Sequence, residues 1–517
     1  MGAWCQDEAF RATYGTRGAP GISPAQLAMV TVLQFTGNLT DRQAADAVRG
    51  RLDWKYCLGL ALDDEGFDFS VLSEFRSRLV AGGMEAALLE ALLARLGALG
   101  LVGAGMRQRT DSTHVLGRIR DLNRLELAGE SVRAALEALA AAAPAWLAGV
   151  IDVSWQEVYG QRIDNFRLPG SKARRADLAV RYGRDGYHLL RRVHGPGAPG
   201  WLRDLPAVQA LRRIWIWQFY LQAGEGGGEK VIWRGDEQGL PPARSRLVSP
   251  YDLDARYAEK RGKGWTGYKV HISETCPIPD ADGRRPAPDL LTNTETTPAP
   301  VTDVEMTEPV HDTLARRGLP PGEHALDSGY ASGELLLAAR ARGITLLAPL
   351  LPDGSPQARS GGYTVDMFTI DWDSKQVTCP QGAVSSSWTP ARSKGTNIII
   401  ARFAKATCQP CPARARCTTA VRSGRQLGLR PRRIHEAVTA ARAEQASDAW
   451  QHRYRIRAGV EGTIAQVTHV TGIRHARYLG LPKTRLEHNA AAAAINLIRL
   501  DAWWTGKPLD GTRTTHL

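Results

Sequence analysis

Three acidic residues sit where a rigid element would hold a carboxylate: Asp111 on a short candidate strand after Gly105, Asp327 at the end of Ala325-Leu326-Asp327, and Glu461 within an expected helix from Tyr454 to Gln466. They are 216 and 134 residues apart, so only the fold can bring them together. A converged trio of carboxylates suits hard divalent cations such as Mg²⁺ or Mn²⁺, which take oxygen ligands and keep some water. Two such ions about 3.5 to 4 Å apart can activate the attacking oxygen and stabilise the leaving oxygen of an in-line phosphoryl displacement. Taken singly, each acid has a plainer role: Asp111 or Asp327 capping a turn before Ser112 or Ser328, and Glu461 facing solvent.

The neighbours of Glu461 narrow the choice. On a continuous helix, Tyr454, Arg457 and Glu461 fall within roughly a 60° arc, placing an aromatic, a guanidinium and a carboxylate on one face. The plainer alternative is an Arg457–Glu461 ion pair at i, i+4. A second cluster is Cys379-x28-Cys408-x2-Cys411-x5-Cys417, while Cys5, Cys57 and Cys276 are scattered. Four thiolates would close a tetrahedral structural Zn²⁺ site, with His435 or His452 as substitutes. Reduced thiols packed in an insertion are the alternative, and an odd total of seven cysteines argues against a disulfide framework.

The chain has 517 residues, 66 Lys and Arg, 53 Asp and Glu, and a net charge of +13. Length alone suggests about three folded units. The excess is local: residues 391–485 hold 19 Lys and Arg against Glu436, Glu444, Asp448 and Glu461, a net +15 that leaves −2 for the rest. Such a segment is an electrostatic footprint for phosphate backbone, and Trp450, Tyr454 and Tyr478 within it offer stacking partners. Val132–Ile151 and Asn489–Leu500 are too short or too interrupted to span a membrane. Met1–Phe10 lacks the pattern of a signal peptide, so a cytoplasmic location, near the nucleoid, is expected.

The elements that would position these residues follow an order. Ser23-Pro24-Ala25-Gln26 and Thr40-Asp41-Arg42-Gln43 read as capping boxes opening two helices, a pairing that fits either a helix-turn-helix or a plain bundle. Arg42 and Arg49 would face DNA in the first case. Helix continues from Ser70 to Leu99, and Met106–Val115 is a strand. A long helical region follows from Asp121 to Gln222, with a loop at 224–228. Strands are expected at 231–233, 267–272 and 290–294, then a helix over 304–317, a strand ending at Asp327, a helix capped by Ser332 and a strand over 345–350. Short β pieces fill 352–433, including 397–400, and helices resume from His435 to Leu500. The order predicts an α/β core interrupted by insertions.

Tyr454-Arg455-Ile456-Arg457-Ala458-Gly459-Val460-Glu461-Gly462 resembles the Y-x2-R-x3-E signature of the DDE transposases of bacterial insertion sequences. Arg109-Thr110-Asp111-Ser112-Thr113 looks like their first acidic motif and Leu326-Asp327-Ser328-Gly329-Tyr330 like their second. Leu39–Val48, with Phe69–Leu79, is similar to the helical domain that precedes the catalytic core in one such group. The resemblance implies an RNase H-like core from 105–120 and 230–351, completed by catalytic helices at 435–517. Around it would lie an N-terminal helical DNA-binding domain at 1–104, a helical insertion at 121–229 and a Cys-rich, zinc-binding insertion at 352–434. It implies Asp111, Asp327 and Glu461 as Mg²⁺ or Mn²⁺ ligands, Tyr454 and Arg457 as groups orienting phosphate, transposon ends and target DNA as partners, and a homodimer on paired ends. The family's lysine six residues past the glutamate is replaced by Thr468, which leaves Arg474, His475, Arg477 and Lys483 as basic candidates. Asp303 rivals Asp327, but a strand-terminal Asp followed by Ser-Gly better suits the carboxyl edge of a sheet. A nuclease that cuts without joining, and a zinc-stabilised DNA-binding repressor or decayed transposase, are the alternative functions.

Overall fold

The computed structural model describes residues 5–14, 21–223, 228–282, 284–393 and 395–507. The loop expected at 224–228 lies outside them, save its last residue. Five helices come first: α1 (Pro24–Thr36), α2 (Asp41–Gly50), α3 (Leu52–Leu58), α4 (Ser70–Ala81) and α5 (Ala87–Ala98). Thr40 and Gln43 make the expected reciprocal box at α2. At α1 only half of it forms. The Ser23 hydroxyl accepts from the Gln26 N–H, but the Gln26 amide reaches away to the Leu58 carbonyl at the end of α3.

Strand β1 (Arg107–Leu116) opens the central sheet. The region expected to be helical after it is broken into α6 (Arg124–Ala142), α7 (Pro144–Ala148), α8 (Ser154–Tyr159), α9 (Lys172–His194) and α10 (Pro206–Gln218). Its end is a correction to the helical expectation, because Phe219–Ala223 is strand β2, paired with β3 (Glu229–Trp233). These elements enclose their own core around Trp215, Phe219, Leu189 and Tyr182.

The sheet resumes with β4 (Arg256–Lys260), β5 (Lys263–Thr275) and β6 (Leu291–Pro298), then α11 (Asp303–Arg316), β7 (Glu323–Ala325), α12 (Gly333–Ala341) and β8 (Thr345–Leu347). The strand order is β6-β5-β1-β7-β8, with β4 beside the first residues of β5. β5 runs antiparallel to β1, β4 and β6, whereas β1, β7 and β8 are parallel. Next come α13 (Pro356–Arg359), β9 (Thr369–Asp371), β10 (Gln376–Thr378), β11 (Ser387–Ser393), β12 (Thr396–Arg402), α14 (Lys405–Cys408), α15 (Arg414–Cys417) and β13 (Gln426–Leu429). They pack on a small core of Phe368, Val377, Phe403, Leu427 and Leu429.

Four helices close the chain: α16 (Arg432–Gln445), α17 (Asp448–Tyr454), α18 (Gly459–Thr471) and α19 (Leu481–Trp504). α19 carries five successive alanines, Ala490–Ala494, all fully buried, which lets β6 and helices α1, α4 and α5 approach it closely. One hydrophobic core therefore runs from Phe35 and Leu72 in the N-terminal helices, through α19, to Val270 and Ile272 in the sheet.

Candidate active site

Parallel pairing explains why two of the acids meet. β1 and β7 are in register with Arg109 opposite Ala325, and two residues further along each chain stand Asp111 and Asp327. Neighbouring strands are about 4.8 Å apart, so equal steps from a shared register bring the two side chains to one edge of the sheet. β7 ends before Asp327, which instead caps the turn Ser328–Tyr330 by accepting from the Gly329 N–H at 2.7 Å. Burial raises the Asp111 carboxyl above its ordinary range; Arg457 and the Ser112 N–H oppose the rise, and the Asp327 charge adds to it.

Glu461 arrives differently from the sequence expectation. Tyr454, Arg457 and Glu461 do not share one continuous α-helix: α17 ends at Tyr454, residues 455–458 form a tight 3₁₀ turn, and α18 begins at Gly459. Arg109 lies against this turn. Its guanidinium passes so close that a Cβ on Gly459 would lie 2.0 Å from Nη1, and Nη1 donates to the Ile456 carbonyl at 2.7 Å. Arg457 then reaches across the gap, donating to Asp111 at 2.5 Å and to Glu461 at 2.7 Å. Tyr454 stacks on Trp450, with ring centres 4.9 Å apart and planes 18° from parallel.

Arg457 decides how these carboxylates relate to a metal. Its guanidinium lies between the carboxylates of Asp111 and Glu461, with the Asp327 charge acting on it, and these hard oxygen donors fit Mg²⁺ or Mn²⁺ in kind. As they stand, the positive charge among them is that of Arg457. Among the described residues, no group of three or more His, Cys, Asp or Glu side chains is placed to hold a metal ion. Glu461, whose side chain is 68% exposed, is linked to Asp111 through the Arg457 guanidinium.

Beneath the site lies a buried charge hub that sequence reading missed. Glu274 of β5 is fully buried and accepts from Arg109 at 2.6 Å, Thr463 at 2.6 Å and Arg499 at 2.7 Å. Burial would raise its carboxyl, but Arg499 and Arg109 hold it below the ordinary range. Arg109 lies two residues before Asp111, and Thr463 two after Glu461. Glu274 thus ties the strand of one acid to the helix of the other. The one sequence signal was an arginine and a glutamate inside strand-like runs, where an unpaired charge is not stable.

Asp303 is not remote from Asp327: a Cβ on Gly329 would lie 2.9 Å from Asp327 Oδ1 and 3.4 Å from Asp303 Oδ2. Its carboxylate is engaged by Lys269 at 3.1 Å and Ser112 at 3.0 Å. Burial would raise it, yet Lys269, His271 and Ser112 bring it below its ordinary range. Asp327 makes only its capping bond among the described hydrogen bonds, so it is the freer of the two.

The expected DNA contacts divide. Arg477 is committed within the chain, donating to Asn38 and to the Leu39 carbonyl and lying over the Phe35 ring, so its guanidinium fastens the α1–α2 turn to the residues before α19. Arg474 donates to Thr113 of β1. Arg42 is exposed over Phe69, and Arg49 is exposed beside Asp46 and the Glu65 carbonyl. Lys483 is half-buried in the first turn of α19, and Thr468 is half-buried with no partner for its hydroxyl. A basic group that sequence reading overlooked, Lys260 at the end of β4, is near enough for its charge to act on Asp111.

Cys379, Cys408, Cys411 and Cys417 line one cavity of about 270 Å³ with Tyr363, Phe403 and Arg425. All four are free thiols, and burial raises Cys417 above its ordinary range. The Arg425 N–H donates to Cys408 Sγ at 3.4 Å. The expectation of a closed zinc site is not supported, because the thiols surround the cavity without forming a group placed to hold a metal. Neither His435 nor His452 completes one. His435 packs on the Trp372 ring instead.

Residues 378–501 match the family described as Transposase DDE domain, and residues 3–78 the family described as Transposase domain (DUF772). The first stretch contains the four clustered cysteines, Tyr454, Arg457 and Glu461; Asp111 and Asp327 lie between the two. No curated protein matches the chain.

Proposed function

We propose, from the premise that this chain is a DDE transposase of the insertion-sequence type, as both domain matches support, that Asp111, Asp327 and Glu461 form its catalytic centre. The observation that carries the reading is the meeting of three distant motifs, with Asp111 and Asp327 at equal steps past a shared register and Arg457 joining Asp111 to Glu461. The strand order β6-β5-β1-β7-β8, antiparallel on one side of β1 and parallel on the other, supports an RNase H-like core.

The reaction is cleavage at the transposon 3′ end by water, followed by attack of the freed 3′ hydroxyl on target DNA. Each step breaks one phosphodiester bond and forms one new P–O bond. Asp111, Asp327 and Glu461 would hold divalent cations, Mg²⁺ or Mn²⁺, which when bound supply activation of the attacking oxygen and charge stabilisation of the leaving oxygen. Arg457 is placed to take a DNA phosphate in exchange for its carboxylates, and Tyr454, fixed by Trp450, to hold a sugar or base beside it. Arg474, Lys483, Arg42 and Arg49 remain candidates for backbone contacts. Two ends must be held together for joining, which calls for two copies of the chain.

The test is incubation of the protein and Mg²⁺ or Mn²⁺ with duplexes carrying the sequences that flank its coding region. Cleavage followed by joining to a second duplex is expected. Cleavage without joining would leave a nuclease, and salt-sensitive binding with no cleavage would leave a repressor.

A further inference from the structure

We infer that the β4–β5 hairpin tip is a phosphate-backbone grip that leads a DNA strand to the carboxylate edge, through Lys260, Arg261 and Lys263. The proposal rests on the transposase reading and adds the surface by which DNA is held beside the site. Lys260 and Lys263 face each other as the last pair of the ladder, and Arg261-Gly262 form the connection. Both connecting residues have positive φ, 54° and 75°, the conformation of a tight two-residue turn whose twist matches its strands. The three cations are therefore displayed on a short ribbon and not on a long loop.

Two features distinguish this tip from an ordinary solvated turn. Lys260, Arg261 and Lys263 are exposed, and among the described residues none has an ion pair or side-chain hydrogen bond, although arginines elsewhere in the chain find carboxylates repeatedly. The tip is also tied to the chemistry, since its strand β5 pairs with the Asp111 strand over Gly267–Thr275 and the Lys260 charge acts on Asp111, His114 and His271. Aromatic surface accompanies the charge. Tyr257 of β4 is 47% exposed, and Trp265 of β5 is half-buried with its ring 5.9 Å from that of His114. Unpaired cations with adjacent rings, on a stiff ribbon beside a phosphoryl-transfer site, match a nucleic-acid strand: the cations take phosphates and the rings take sugar or base. These residues lie outside the basic 391–485 segment, so the tip supplies a second point of hold.

The test compares the wild type with the triple variant Lys260→Gln, Arg261→Asn, Lys263→Gln. Asn-Gly is a preferred pair for this turn, so the hairpin is retained. A control removes three exposed charges from α9: Lys172→Gln, Arg174→Gln and Arg184→Gln. Affinity for a labelled 40-base-pair duplex is measured by anisotropy from about 50 to 200 mM salt, where each phosphate that is no longer neutralised reduces the log–log salt slope by about 0.9. The tip variant is expected to show a slope smaller by about 2 to 3 and an affinity at least tenfold weaker near 100 mM salt, with an unchanged melting temperature; the control keeps the wild-type slope. A tip variant with the wild-type slope, or a control that falls as far, overturns the inference and leaves the transposase reading standing. A wild type that binds no duplex overturns both. Should the triple variant melt early, Lys260→Gln with Lys263→Gln, which leaves the turn untouched, must lower the slope by about 2.

Discussion

The carboxylate edge and the cysteine cavity both suggest a metal when read as sequence; among the described residues neither forms a group placed to hold one, and they differ in how the chain gathers them. The acids are hundreds of residues apart and are brought together by strand register, a helix break and a buried counter-charge. The thiols are within a few dozen residues of one another and line one cavity, near enough for the charges of Cys408, Cys379 and Cys411 to act on Cys417. A short irregular segment has few ladder or packing constraints to aim its side chains. Each acid instead sits on, or just beyond, an element fixed by many hydrogen bonds.

The largest expected difference between the two regions is catalytic. Asp111→Ala should lower end cleavage by at least about 10³-fold, roughly 4 kcal/mol of barrier, whereas Cys408→Ser should leave it within a fewfold. Single-turnover cleavage of a labelled duplex checks both, and an active Asp111→Ala protein would remove that carboxylate from the chemistry.

Next is folding. Glu274→Leu strips the carboxylate from Arg499 and one of the two from Arg109, which keeps Asp289, and removing one partner of a buried ion pair costs about 3 to 5 kcal/mol. Cys417→Ser should cost less than about 1 kcal/mol. Urea unfolding separates these predictions. A loss of several kcal/mol at Cys417 that depends on added zinc would turn the cavity back into a metal site.

A smaller effect concerns pH. Burial pushes the Glu487 carboxyl up to about 8, against the pull of Arg477, Arg76 and Arg118. Below about pH 4.5 both folded and unfolded chains carry the proton, and the residue costs nothing. Between there and 8 only the unfolded chain ionises, so stability falls as pH rises, and above 8 the loss is complete. Glu487→Gln should therefore gain a few kcal/mol over the wild type at pH 8 and almost nothing at pH 4. Equal effects at the two pH values would refute the buried neutral acid.

The smallest effect is chemical. Burial pushes the Cys5 and Cys276 thiols up to about 12, so iodoacetamide at pH 8 should leave them intact in the native protein and label them only after unfolding. Modification of either in the native state would show that its packing opens.

What the sequence made legible depends on how local the cause is. The α2 capping box and the turn from strand to Ser-Gly at Asp327 are written within four residues, and the structure contains both. The expected single helix from Tyr454 to Gln466 stays helical but tightens to a 3₁₀ turn over 455–458, and the Arg109 guanidinium packed against Gly459 there comes from some 350 residues away, beyond any local signal. Glu274 was invisible for the same reason: its partners come from β1, α18 and α19. The Lys260 tip adds little to the net charge of a nearly neutral stretch, so charge alone does not reveal it, although Lys-Arg-Gly-Lys between strand-like runs is a turn signal in itself.

The alanines of α19 have one further consequence. Because Ala490–Ala494 join the N-terminal helices and the sheet in one core, those helices are no swinging arm. In the proposed function they would serve as the fixed jaw of a caliper: duplex held on the outer face of α2 would be measured off at a constant number of base pairs from Asp111. The place of the cut would then follow from the dimensions of the protein, and a mutation that thickened the alanine stripe would move it along the helix.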